Sequence, residues 1–248
     1  MYRSAPFRSL VLSLLASTAF SGHAVALEPS GSAVNVDPAV SARGGEGSRV
    51  LEVKGAVFMG DEIVAGPHGL AQIRFIDDTK LVIGPNSRLT IDKFVFNADN
   101  TAREVSIDMV KGAFRFISGN SPHQAYSLRT PTMTIGVRGT VVDINARGAD
   151  SSVVFLDGSG PVCDTGGACI IAIDDCALHV VPSSGGVATA TGLERQQRLS
   201  AFFPFISGQA ALGLDPAFRV DTSGCEVADN RLLGPPSMDG SDKTVPYQ

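Results

Sequence analysis

The residues of this chain best placed to do chemistry are four cysteines, Cys163, Cys169, Cys176 and Cys225. An even number of thiols favours two disulfides, for which three pairings exist. The tight Asp164-Thr165-Gly166-Gly167 turn favours joining Cys163 to Cys169, which leaves Cys176 for Cys225. A metal site is the rival use of the same residues. No C-x-x-C pair occurs, and His179, the nearest histidine, alternates with apolar neighbours as in a strand, so disulfides are expected and a metal is not. The other candidates are weaker. His68 and His123 each follow a proline in a loop and read as solvated turn residues. Asp77-Asp78 and Asp174-Asp175 are adjacent carboxylates without the alternating ligand spacing of a calcium loop, and are expected to be solvated. There is no G-x-S-x-G elbow, no H-E-x-x-H and no phosphate-binding loop. No catalytic residue and no cofactor is therefore expected, and the chain does not read as an enzyme.

The elements that would carry these residues follow from composition and punctuation. Only 18% of the 248 residues are charged, while 27 glycines and 14 prolines supply many reversals, which argues against a helical bundle. A formal charge of −5 argues against nucleic-acid binding, which needs a basic face. Residues 1–26 read as a signal peptide. Arg3 and Arg8 precede a short apolar run from Leu10 to Phe20, and Ala24-Val25-Ala26 offers a cleavage site. Cleavage removes two arginines and no acid, leaving a more acidic chain. Beyond the leader no stretch approaches the roughly 20 apolar residues of a membrane span, so a periplasmic or secreted protein is expected. An oxidising compartment suits the cysteines.

Residues 27–48 are rich in Gly, Ser, Ala and Pro without periodicity and read as a flexible linker. From Arg49 the pattern changes to short apolar alternations cut by Gly, Pro, Asn and Asp. Examples are Gly69 to Ile76, Thr79 to Ile83, Leu89 to Phe96, Arg103 to Val110 and Gly139 to Ala146. Strands at such spacing without amphipathic helices between them mean an all-β domain, over 49–157. Residues 158–233 read as a cysteine-containing, β-rich extension. Within it Leu193 to Phe205 suits one short helix that Pro204 ends or kinks. Residues 234–248 read as a disordered tail. Val53-Lys54-Gly55-Ala56 recurs as Val110-Lys111-Gly112-Ala113, a hint of a duplicated β unit.

Four sequence blocks, in order, resemble the FecR domain, a periplasmic module of iron-siderophore signalling. The first is Phe58-Met59-Gly60-Asp61-Glu62-Ile63 with the turn glycines Gly66 and Gly69. The second runs from Ile73 through Asp77-Asp78-Thr79 to Gly84-Pro85-Asn86-Ser87. The third is Val110-Lys111-Gly112-Ala113-Phe114-Arg115. The last is Thr130-Pro131 followed by Ile135-Gly136-Val137-Arg138-Gly139-Thr140. The resemblance covers residues 53–157. Asp78 departs from it, standing where the family usually has Gly; Asp tolerates the left-handed turn geometry.

The blocks also have a physical reading. Gly60, Gly66, Gly69 and Gly84 are expected at positive φ in tight reversals. Asp61, Asn86 and Ser87 are expected to bond back to nearby backbone amides. Arg138 reads as a buried cross-brace rather than a ligand contact. The resemblance implies an all-β fold, as stacked β-helical turns or sandwich-like. It also implies a role in envelope signalling through a partner, either an outer-membrane receptor or a membrane-anchored sensor. A polysaccharide-binding module is the alternative, against which the absence of Trp counts, and a hydrolase is less favoured still.

Overall fold

The computed structural model describes residues 28–225, apart from Pro38, Glu46, Ala98, Asn100, His123, Gln124, Asp174, Asp175 and the side chain of Arg138. The expected signal peptide, the tail 234–248, His123, the Asp174-Asp175 pair and the role given to the Arg138 side chain therefore lie outside the described residues. The protein is all-β, with sixteen strands among the described residues and helices near the C-terminal end. The strands are β1 (Pro29–Val36), β2 (Val40–Gly44), β3 (Gly47–Val50), β4 (Ala56–Phe58), β5 (Glu62–Ala65), β6 (Ala71–Phe75), β7 (Lys80–Ile83) and β8 (Arg88–Phe96). They continue as β9 (Ala102–Ile117), β10 (Tyr126–Arg129), β11 (Met133–Gly136), β12 (Arg138–Ala146), β13 (Asp150–Asp164), β14 (Cys169–Ile173), β15 (Leu178–Pro182) and β16 (Ala188–Ala190).

Two long strands join two layers. The first half of β9 lies between β8 and β10, whereas its second half lies between β7 and β12. The change of neighbours falls at Gly112, whose φ of 113° only glycine takes readily. Strand β13 behaves likewise, pairing β12 and β15 over its first part and β11 and β14 over its last. One layer therefore runs β16-β15-β13-β12-β9-β7-β6-β1-β4, and the other β14-β13-β11-β10-β9-β8-β5-β2-β3. Of the two arrangements considered from sequence, this is the sandwich-like one.

Alternation explains the packing. Leu81 and Ile83, Phe114 and Phe116, Val142 and Ile144, and Val153 and Phe155 point from the first layer into the main core. There they meet Ile63, Leu89, Ile107, Leu128 and Ile135 of the second. The intervening residues of the first layer point the other way and are also buried: Val82 and Ala113 pack with Phe205, Leu214 and Phe218, and Val154 and Leu178 with Leu199 and Phe203. The cover is α1 (Gly192–Phe202) and α2 (Pro204–Ser207), with the turns that follow. Pro204 separates the two helices as expected, because it supplies the first residue of the second. The outer face of the second layer is left to solvent.

Two sequence readings need correction here. The stretch expected as a flexible linker is part of the sheet: β1 pairs with β4 and β6, and β2 with β3 and β5. Its core side is made of small residues, Ser30, Ala33, Val40 and Ala42, too weakly apolar to show as periodicity. The suspected repeat is not structural either. Lys54 sits at φ 70° in the turn before β4, whereas Lys111-Gly112 lies inside β9.

Candidate functional site

The residues of the four sequence blocks gather into separate hydrogen-bonded clusters, each built inside the fold. Around the first block, Gly60 turns the chain at φ 87° and leads into Asp61, which is fully buried. Its carboxylate accepts from two nitrogens of Arg49 and from the Phe58 N–H at 2.9 Å. Arg49 also donates to the Ala56 carbonyl at 2.9 Å and lies over the Phe58 ring. The pair closes β3 and β4 around one turn.

The second block holds a buried carboxylate to which no cation is bonded among the described residues. Asp77 is 2% exposed, which corrects the expectation of a solvated pair. Oδ1 accepts from the Thr79 N–H at 3.0 Å. Oδ2 accepts from the hydroxyls of Thr79 (2.9 Å), Ser121 (2.6 Å) and Tyr126 (2.9 Å). Four neutral donors replace the lost water, which is the condition for burying a carboxyl group. Burial pushes the Tyr126 hydroxyl above its usual range, so it remains a neutral donor. Asp78 takes φ 66°, the left-handed geometry expected where the family has Gly, and is half-buried beside Arg74 and Lys80.

The third cluster couples β7, the turn after it, and β9. The Ser87 hydroxyl accepts from the Ala113 N–H at 3.1 Å, and the Gly84 N–H donates to the Ala113 carbonyl at 2.9 Å. A side chain at Gly112 would collide with Ser87, and one at Gly84 would press on Phe205 at 3.1 Å. Of the four glycines expected at positive φ only Gly60 has it; Gly69 and Gly84 are needed for close backbone approach instead. Asn86 is exposed at φ 56°, an αL position that Asn tolerates.

In the last block the Thr130 hydroxyl accepts from the N–H groups of Thr132 (3.3 Å) and Met133 (3.0 Å), closing the turn made by Pro131. Gly139 takes φ 62°, and Thr140 is buried with its backbone bonded to Ser118. Thr130 and Pro131 also line an open groove of about 310 Å³ with Asp108, Met109, Val110 and Arg129. Its arginine is already held by Asp108 at 2.6 Å and Asp92 at 2.6 Å. His68 is exposed, and His179 lies in β15 against Thr189 at 3.1 Å. Among the described residues no group of three or more His, Cys, Asp or Glu could hold a metal.

One constellation went unassigned in the sequence. Arg115 on β9 and Asp143 on β12 stand directly opposite each other in register, both fully buried. Nε and Nη2 of Arg115 reach the two carboxylate oxygens at 2.7 and 2.8 Å. The same guanidinium donates to the Phe205 carbonyl at 3.0 Å and to Gln209 Oε1. Burial pushes the Asp143 carboxyl upward, opposed by the Arg115 charge and its hydrogen bonds. A signal existed: one charge of each sign interrupts an otherwise apolar strand, Ala113-Phe114-Arg115-Phe116 and Val141-Val142-Asp143-Ile144.

The four thiols form two disulfides, Cys163–Cys169 and Cys176–Cys225. The first crosses the β13–β14 hairpin, and the second ties the segment before β15 to the end of the C-terminal cover.

These clusters define a class, an all-β module whose signature residues lock turns to strands. Residues 61–159 match the family model described as FecR protein, so the chain carries a FecR domain. No curated protein matches the chain. Among solved structures it is similar to two of a candidate anti-sigma factor from Parabacteroides distasonis. Both are 15% identical, cover 55% and 56% of this chain and 62% and 63% of theirs, with TM-scores of 0.42 and 0.43. A cell surface anchoring domain is 31% identical over 25% of this chain and 82% of its own, with a TM-score of 0.24. The chain thus spans about three fifths of the length of the first two.

Proposed function

We propose that this protein is an exported, non-enzymatic FecR module that works by recognising another protein in envelope signalling or scaffolding. One observation carries the reading. Most of the described family residues are engaged in internal locks, and the groove beside Thr130 and Pro131 presents charges already paired, so recognition falls to open sheet edges and exposed apolar side chains. Val50 on β3 and Ile171 and Ile173 on β14, at the two ends of the second layer, are 71%, 70% and 52% exposed. Two disulfides support an oxidising compartment, hence a periplasmic or secreted protein. No helix of the described residues is long and apolar enough to cross a membrane. The FecR domain supports a partner of the outer-membrane-receptor or membrane-sensor kind.

The test is chemical cross-linking of the mature chain in periplasmic extract, followed by pull-down. Recovery of one stoichiometric envelope protein is expected. Retention on glycan with no protein partner would overturn the reading in favour of a polysaccharide-binding module.

A further inference from the structure

The two layers end in four edge strands, and three of them are protected by ordinary means. Strands β4 and β16 are only three residues long, and β3 carries Arg49. Short edges and edge charges are the usual safeguards against pairing with another chain. Strand β14, Cys169-Ile170-Ile171-Ala172-Ile173, has neither safeguard, and among the described residues it pairs only with β13.

The register fixes which backbone groups of β14 remain open. Cys163 and Cys169 are directly opposite, with Cα atoms 4.0 Å apart. That spacing belongs to a non-hydrogen-bonded antiparallel pair, since hydrogen-bonded pairs stand near 5.5 Å. The pairing continues without a shift, so Pro161–Ile171 and Ser159–Ile173 are non-hydrogen-bonded pairs too. Pro161 has no N–H to give, in agreement. In such pairs the N–H and C=O of each residue point away from the neighbour. The outer edge of β14 therefore presents the backbone donors and acceptors of residues 169, 171 and 173, beside the exposed side chains of Ile171 and Ile173.

Charge selects the occupant. The segment from Asp157 to Cys176 contains Asp157, Asp164, Asp174 and Asp175 and no Lys or Arg. Asp157 is exposed two residues from Ser159, which pairs with Ile173 at the end of β14. Two copies joined edge to edge would bring two acidic segments together. We infer that β14 is a docking edge for one extended strand of a partner protein, running antiparallel, with alternating apolar residues and basic residues at its N-terminal end. This rests on the protein-recognition reading above and names its surface and partner chemistry.

The probe is a fluorescein-labelled peptide, Lys-Lys-Val-Thr-Val-Thr-Val, titrated against the full mature chain by fluorescence anisotropy. A control peptide begins Glu-Glu instead. Ile171→Pro removes an outward N–H that β13 does not use, and Ile171→Lys adds a protecting charge to the solvent face. Saturable binding of the basic peptide is expected, weakened roughly tenfold or more by each variant and by the acidic leader. Circular dichroism and melting of Ile171→Lys establish that it folds. Equal binding by folded Ile171→Lys, equal binding of the acidic peptide, absence of saturable binding, or a dimer of the parent chain that Ile171→Lys dissolves would each overturn the assignment. If Ile171→Lys still captures the stoichiometric envelope partner, the β14 assignment falls and protein recognition stands. If the peptide binds as expected while no envelope protein is captured, the edge stands and the signalling role falls.

Discussion

Asp77 and Asp143 are both buried carboxylates of the FecR domain, and they are held by opposite physics. Asp77 is surrounded by four neutral donors, all within the domain and reached from the turn after β6 and the segment leading to β10. Asp143 faces a full positive charge, and that charge also grips Phe205 and Gln209 of the C-terminal cover. The neutral cluster keeps one turn in shape. The ion pair fastens a separate stretch of chain to a sheet face that would otherwise be open. Gln209 extends the tie, bonding both the N–H and the C=O of Val220 at 2.9 Å.

The largest expected effect tests that contrast directly. Arg115→Met or Asp143→Leu alone leaves one buried charge unpaired and is expected to cost about 3–5 kcal/mol. The double substitution is expected to cost less than either single one, although the Phe205 carbonyl then loses its donor. Guanidinium denaturation of the three variants closes the cycle. Equal losses for single and double variants would mean that the pair acts through its ties to the cover rather than its charges.

Next in size is the covalent half of the same attachment. The Cys176–Cys225 bridge spans 49 residues, so its removal by paired Cys→Ser substitutions is expected to cost about 4 kcal/mol on the loop-closure estimate. Hydrogen exchange should place the gained exposure over residues 203–225 while β9 and β12 stay protected. Uniform loss of protection would show that cover and sandwich unfold as one unit.

The neutral cluster should matter less. Asp77→Ala leaves the Thr79, Ser121 and Tyr126 hydroxyls without their acceptor and is expected to cost about 1–3 kcal/mol. Asp77→Asn keeps one acceptor oxygen and should lose less. If Asp77→Ala cost as much as Arg115→Met, the distinction between neutral and ionic locks would fail.

The sequence shows one side of this contrast and hides the other. Asp77 and Thr79 lie two residues apart, so their bond is local and the turn could be read from residue types. The disulfide pairs were legible for a similar reason, since a tight turn brings Cys163 to Cys169. Arg115 and Asp143 are 28 positions apart, and their meeting depends on the β9–β12 register, which no local pattern states. The strands within 29–50 were hidden because Ala and Ser fill their inward positions beside few large apolar groups. Leu193 near the start of its helix is 64% exposed, while Leu199 and Phe203 make the contact. That face was legible, because the polar run Arg195 to Arg198 stands against Leu199, Phe202 and Phe203 in the sequence.

The smallest effect separates an acid held by backbone amides from one held by an ion. Asp164 ends β13 and accepts from the Gly186 N–H at 2.6 Å and the Ala168 N–H at 2.8 Å. These bonds, with the Gly186 bond foremost, hold its carboxyl below the usual value of 3.8. A depressed folded-state value means that this stabilisation is fully present above the unfolded value. It is lost as pH falls through the folded one. Acidification through and below the usual carboxylate range should thus loosen the Asp164–Gly167 turn and its tie to Gly186, seen as faster amide exchange at Gly186 and Ala168. Asp164→Asn should flatten that dependence without changing exchange at Phe114 or Ile144. Burial pushes Asp143 the other way, so its neighbourhood should not share the same acid profile. If amides around Asp143 and Asp164 opened together over one pH range, backbone amides and an arginine would be holding their carboxylates equivalently, and the contrast would have to be withdrawn.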